Sequence, residues 1–164
     1  MIYLDVDGVI ADFEMGVRAL GYTGSIAGTA GHSCGETLEQ FMAANYEKIF
    51  RTAPPTNHMR FFQRMYQVEN SLGDKNMKIL TAMGSHYKEE HIETVKENKY
   101  WWLGQFGFER EDIIIVPQAA DKLQYCQPGD VLYDDKRWTI KRWNQLGGHG
   151  FLVYCEPSWS VTDD

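Results

Sequence analysis

Five short apolar runs punctuate the chain, at Ile2 to Val6, Met77 to Thr81, Ile113 to Val116, Val131 to Tyr133 and Phe151 to Tyr154. They are separated by segments with helical spacing or by enough residues to cross over. Short strands without polar alternation are buried on both faces, and strands alternating with helices imply a parallel α/β sheet. The connections agree. Ser85 can cap a helix that carries Glu89 and Glu90 in its opening turns and an apolar stripe of Ile92, Val95, Trp102 and Phe106. A second helix, from Trp138 to Leu146, stops at Gly147-Gly148. The helical spacing of Trp101-Trp102 and of Trp138 with Trp143 predicts core packing rather than stacking on a ligand.

The segment from Phe13 to about Asp74 is far longer than one crossover requires, so it must hold an insertion. Leu38, Phe41, Met42, Ile49 and Phe50 form one amphipathic pattern, and Met59, Phe62, Met65, Tyr66 and Leu72 another, with Pro54-Pro55 dividing them. A small helical cap is the economical reading. Residues 21–35, rich in Gly, Ser and Thr, read as a flexible loop at its mouth, and His32 and Cys34 within that loop receive no role.

With 164 residues the chain can bury one sizeable core plus a small appendage. Its net charge of -7 opposes a long polyanion such as extended nucleic acid. No apolar run is long enough to span a bilayer and no secretory signal opens the chain, so a cytoplasmic protein without a membrane partner is expected. Cys34, Cys126 and Cys155 are far apart and outside any CxxC pattern, which predicts free thiols.

Two acidic pairs carry the chemistry. DVDGV places Asp5 and Asp7 at the carboxyl end of the first strand, and VLYDD places Asp134 and Asp135 at that of the fourth. Either pair alone reads equally well as a solvated turn, and an EF-hand loop fits DVDGV poorly because Gly8 comes too early. Together they fall where a doubly wound sheet binds its ligands, beyond the carboxyl ends of the strands flanking the switch point. Clustered carboxylates there demand a cation, and Mg2+ with phosphate oxygens is the hard-ligand solution. Thr81 ends the second strand and Lys122 follows the third, positions from which both can hold a phosphate.

In this order DVDGV, ILTAMG, Lys122 in AADKL, and LYDD resemble the four motifs of the haloacid dehalogenase superfamily of phosphohydrolases. More narrowly, DVDGVIADFEMG, ENKYWWLGQFG and DKLQYCQPGDVLYDDK are similar to stretches of the 5'(3')-deoxyribonucleotidase family. The resemblance implies a Rossmann-like doubly wound parallel sheet of order 3-2-1-4-5, with residues 1–12 and 75–164 as core and 13–74 as a helical cap inserted after strand 1. It implies Asp5 as nucleophile and Asp7 as general acid and base. It further implies Mg2+ held by Asp5, the Asp7 carbonyl and Asp134 with Asp135 in support, and phosphate held by Thr81, the Ala82 position and Lys122. Ala82 departs from the family, which commonly has a second hydroxyl there, leaving a backbone amide or Ser85 to take that place.

The implied activity is Mg2+-dependent hydrolysis of (deoxy)nucleoside monophosphates through an aspartyl-phosphate. Phe13 just after the catalytic turn, and Phe61 and Phe62 in the cap, are candidates to touch the nucleobase, with cap-core packing as their other reading. Three alternatives stand beside it: another small phosphate ester, a nucleic-acid 3'-phosphate, and a phosphate-binding module without turnover. The expected partner is a small nucleotide, and a homodimer is left open. No GxxxxGK[ST] or GxGxxG motif occurs, so Walker kinases and dinucleotide enzymes find no support.

Overall fold

The apolar runs pair into one parallel sheet in the computed structural model, which describes residues 1–26, 37–84 and 86–154. Its strands are β1 (Ile2–Leu4), β2 (Met77–Ala82), β3 (Ile113–Val116), β4 (Val131–Asp134) and β5 (His149–Leu152), in the order β3-β2-β1-β4-β5. The order that the resemblance implies is therefore the observed one, and the direction of winding reverses between β1 and β4. Leu4 pairs with Ile79 on one side and with Tyr133 on the other, which brings the carboxyl ends of the three central strands level.

β1 and β5 differ most from expectation, while β2 and β4 each run one residue further. β1 stops at Leu4 because the chain turns at once: the Val6 carbonyl accepts from the amides of Val9, Ile10 and Ala11 at 3.1, 2.9 and 3.0 Å. β5 starts at His149 rather than Phe151, since the His149 amide already donates to the Asp130 carbonyl at 2.8 Å.

Among the described residues five α-helices pack around the sheet: α1 (Phe13–Ala19), α2 (Leu38–Ala44), α3 (Met59–Glu69), α4 (Ile92–Gln105) and α5 (Arg137–Gln145). Asp12 caps α1 by accepting from the Met15 amide at 3.0 Å, and Thr37 with Gln40 forms a capping box at the start of α2. The two amphipathic patterns of the long insertion go to different places. Met59, Phe62 and Tyr66 of α3 join Leu4, Ile79, Trp102 and Leu103 in the main core, so α3 covers the sheet. Val17, Phe41, Met42, Ile49 and Phe50 form a second cluster that meets Met83, Tyr87 and Val95. Apolar groups withdrawn from water on both sides of the sheet supply the main favourable term in such a fold.

The tryptophan expectation holds for Trp102 and Trp143, which are buried, but Trp101 and Trp138 are exposed. In α5 the inward positions are Thr139, Ile140 and Trp143, which turns Trp138 to the outside. Trp101 lies instead beneath the Arg51 guanidinium, 4.0 Å from its ring centre. Cys126 is a free thiol, whereas Cys34 and Cys155 fall outside the described residues. Among the described residues no helix is long and apolar enough to cross a membrane.

Candidate active site

Asp5 and Asp134 directly follow Leu4 and Tyr133, the last residue pair between β1 and β4, so the sheet register itself juxtaposes the two acidic pairs. Oxygens of Asp5, Asp134 and Asp135 all come within 4.8 Å of one another. Lys122, carried on a 3-10 segment (Ala119–Tyr125) after β3, sets its ammonium 2.8 Å from both Asp5 Oδ1 and Asp134 Oδ2. All three of these side chains are buried. Burial disfavours the Lys122 charge, yet Asp5 and Asp134 outweigh it and hold the ammonium above its ordinary range. The second Asp134 oxygen accepts from the Lys136 amide at 2.9 Å.

One ammonium does not balance three carboxylates. Burial, and then the charge of Asp5, raises Asp134 above the usual carboxylate range despite Lys122. Desolvation, followed by Asp5 and Asp134, pushes Asp135 up to about 8. The Asp135 carboxyl is pressed onto the backbone of Gly8, where a Cβ would meet its Oδ2 at 2.0 Å. A surplus of negative charge displayed by oxygen donors alone is the environment that suits a hard divalent cation, and Asp5, Asp134 and Asp135 fit one.

Asp7 occupies a different environment. Its Oδ2 accepts from Lys99 Nζ at 2.8 Å, and Lys99 is nearly inaccessible to solvent. The same ammonium lies 3.9 Å from the centre of the Phe50 ring, which itself stacks on Phe13. The approach to this pair is held by residues 53–56, which are bound to the turn after β1. The Asp12 amide donates to the Pro54 carbonyl and the Thr56 amide to the Ile10 carbonyl, both at 2.8 Å, while Thr56 Oγ1 donates to the Val9 carbonyl at 2.6 Å. On the other side α4 donates from Asn98 Nδ2 to the Glu47 carbonyl and from Trp102 Nε1 to the Ala53 carbonyl, at 2.9 and 2.8 Å.

Lys99 was not among the residues the sequence singled out. Its signal is nevertheless present, because it falls four residues after Val95 and three before Trp102, a charged side chain on an otherwise apolar stripe.

A cleft of about 1180 Å³ opens over the carboxyl ends of the strands. Asp5, Asp7, Gly8, Ala82, Lys122 and Asp135 form its polar floor, and Phe13, Met15, Met42 and Phe50 an apolar wall. Thr81 is fully buried, two residues beyond the Ile79 that pairs with Leu4, and its Oγ1 has no hydrogen-bond partner among the described residues. Ser85 lies outside the described residues. His86 also lines the cleft, and burial holds its imidazole below the ordinary range against a smaller upward pull from Glu39. Of the three candidate nucleobase contacts only Phe13 reaches the cleft. Phe61 is exposed elsewhere, and Phe62 is buried in the main core against Tyr133.

No family model matches the chain, and no curated protein matches it. Among solved structures it is similar to the HAD domain of the effector protein Lem4 from Legionella pneumophila, with 16% identity and a TM-score of 0.42 over 96% of this chain and 86% of that one.

Proposed function

We propose that the chain is a Mg2+-dependent phosphomonoesterase of the haloacid dehalogenase type, acting on a small phosphate ester, with nucleoside monophosphates as the preferred class. The observation that carries this reading is the convergence of Asp5, Asp134 and Asp135 around the Lys122 ammonium at the reversal point of the sheet. A bare carboxylate cluster would repel a phosphate ester, so an anionic substrate needs both the ammonium and a metal cation.

In the reaction an Asp5 oxygen attacks phosphorus, and the bond from phosphorus to the leaving oxygen breaks with its electron pair passing to that oxygen. Asp7 supplies the proton the leaving alcohol needs. Asp7 then takes a proton from water as the water oxygen attacks the aspartyl-phosphate, which releases phosphate and regenerates Asp5. Lys122 holds nonbridging oxygens and neutralises their growing charge, with the Thr81 hydroxyl and the amide after it as further donors. Asp5, Asp134 and the Asp7 carbonyl would hold Mg2+, with Asp135 beside them; when bound it supplies Lewis-acid stabilisation of the transferring phosphoryl group. The helices α1 and α2 with the turns up to Phe50 act as the cap, and their apolar wall supports a substrate that carries a base or other flat group beyond its phosphate.

The test is a panel of nucleotides, sugar phosphates and p-nitrophenyl phosphate assayed with Mg2+ and with EDTA. Turnover is expected only with Mg2+, and Asp5→Asn is expected to lower kcat by at least about 10³-fold without changing the fold. Undiminished turnover in Asp5→Asn would remove the nucleophile assignment. Equal rates on nucleotides and simple sugar phosphates would remove the nucleotide preference.

A further inference from the structure

We infer that Lys99 is a positioning residue for Asp7: by anchoring Oδ2 from beneath, it presents the other carboxylate oxygen to the substrate's leaving group. The inference rests on the phosphatase reading above and adds a residue to it.

Lys99 reaches the site from α4, which covers the sheet and takes no part in the β-strand ends where the other acidic and basic groups gather. An ammonium buried to this degree is costly unless it is paired, and Asp7 Oδ2 at 2.8 Å is its charged partner. The remaining space around it is apolar. A cavity of about 10 Å³ beside the pair is walled by Val6, Ala11, Ile49, Phe50, Ala53 and Trp102, so solvent has little room to compete for the ammonium. The flanking residues on α4 are fixed as well, with Asn98 bound to the Glu47 carbonyl and Trp102 to that of Ala53. The stretch of α4 that carries Lys99 is thereby fixed against residues 47–53.

The consequence lies in geometry. A carboxylate on a short side chain after a tight turn can rotate about its bonds, and proton transfer to a leaving oxygen works only within hydrogen-bond reach. With Oδ2 tethered to α4, Asp7, which lines the cleft, has Oδ1 as the oxygen left to serve the leaving group. Loss of the tether should therefore harm the step in which the leaving group is protonated, and harm it in proportion to how much that group needs the proton.

This separates Lys99 from a residue that merely stabilises the fold. An alkoxide must be protonated as it departs, whereas p-nitrophenolate leaves as a stable anion. The quantity to compare is kcat/KM, which covers steps through leaving-group departure and not the later attack of water. Lys99→Met keeps an unbranched apolar stem of nearly the same length while removing the ammonium. In Mg2+ it is expected to lower kcat/KM for glycerol phosphate by about 100-fold and for p-nitrophenyl phosphate by less than about fivefold. In an Asp7→Asn background the same substitution should cost nothing further on glycerol phosphate, since there is no carboxylate left to position.

Equal losses on both esters, or an additive loss in the double variant, would overturn the role of Lys99. Wild-type protein that cleaves neither these esters nor a nucleoside monophosphate would instead overturn the phosphatase reading and leave Lys99 without a reaction to serve. Should Lys99→Met not fold by circular dichroism, Lys99→Gln, which keeps a donor to the carboxylate without the charge, is put through the same comparison. It is expected to lower kcat/KM for glycerol phosphate by a larger factor than for p-nitrophenyl phosphate, though by less than about 100-fold, and an equal fall on both esters again counts against the proposal.

Discussion

Gly8 shows how tightly single residues are specified at the site. Its φ of +81° belongs to the left-handed region, which a side chain enters at a cost, and the Asp135 carboxyl fills the space a Cβ would need. Gly8→Ala is therefore expected to destabilise the protein by about 1–3 kcal/mol and to displace Asp135. Urea unfolding measures the first effect, and the Mg2+ concentration for half-maximal turnover, expected to rise, measures the second. The residues of the acidic pairs were legible in the sequence because each pair is local: an Asp-x-Asp-Gly or Asp-Asp step at the end of an apolar run carries its own meaning. Lys99 was less so, since its partner lies 92 residues away and only the fold joins them. Thr81 was legible as a strand-end hydroxyl, but its burial without a partner is a property of packing.

At the scale of elements, periodicity located α2 to α5 but neither α1 nor the layer each helix joins. The pattern at Met59 to Leu72 resembles that at Leu38 to Phe50, and one cap is the economical reading of both, because an apolar stripe records that a face is covered and not by what. The structure separates them: α3 packs on the sheet through Met59, Phe62 and Tyr66, and the earlier segment builds its own cluster. Adjacent phenylalanines on α3 test this. Phe62 is 3% exposed and meets Tyr133 edge to face, while Phe61 is 61% exposed. Phe62→Ala should cost about 3–5 kcal/mol of stability through the lost transfer energy and the cavity left behind. Phe61→Ala should stay within about 0.5 kcal/mol of wild type. Urea midpoints for the two variants give the comparison, and equal losses would show that α3 presents both rings to the core. Neither substitution is expected to change substrate preference, whereas Phe13→Ala, on the cleft wall, is.

On the scale of the whole molecule, the two strands that supply the carboxylates lie far apart along the chain, so the charge cluster exists only in the folded state. Folding concentrates like charges that the unfolded chain keeps apart, and Lys122 offsets only part of their repulsion. A divalent cation held by Asp5 and Asp134 beside Asp135 must then stabilise the fold by binding it in preference to the unfolded chain. At about 100 times its dissociation constant, Mg2+ should add about 2.7 kcal/mol. For a chain of this size that corresponds to a rise in Tm of roughly 5–10 °C. The same charge balance fixes the sign for a variant. Asp135→Asn removes the carboxyl that lies farthest from compensation, so without Mg2+ its Tm should stand above that of wild type, and the increment on adding Mg2+ should shrink. Differential scanning fluorimetry with Mg2+ titrated against K+ at constant ionic strength reads both effects. A wild-type Tm that ignores Mg2+ would mean that the folded cluster tolerates its own charge with Lys122 alone, and the metal would lose its place in the proposed reaction.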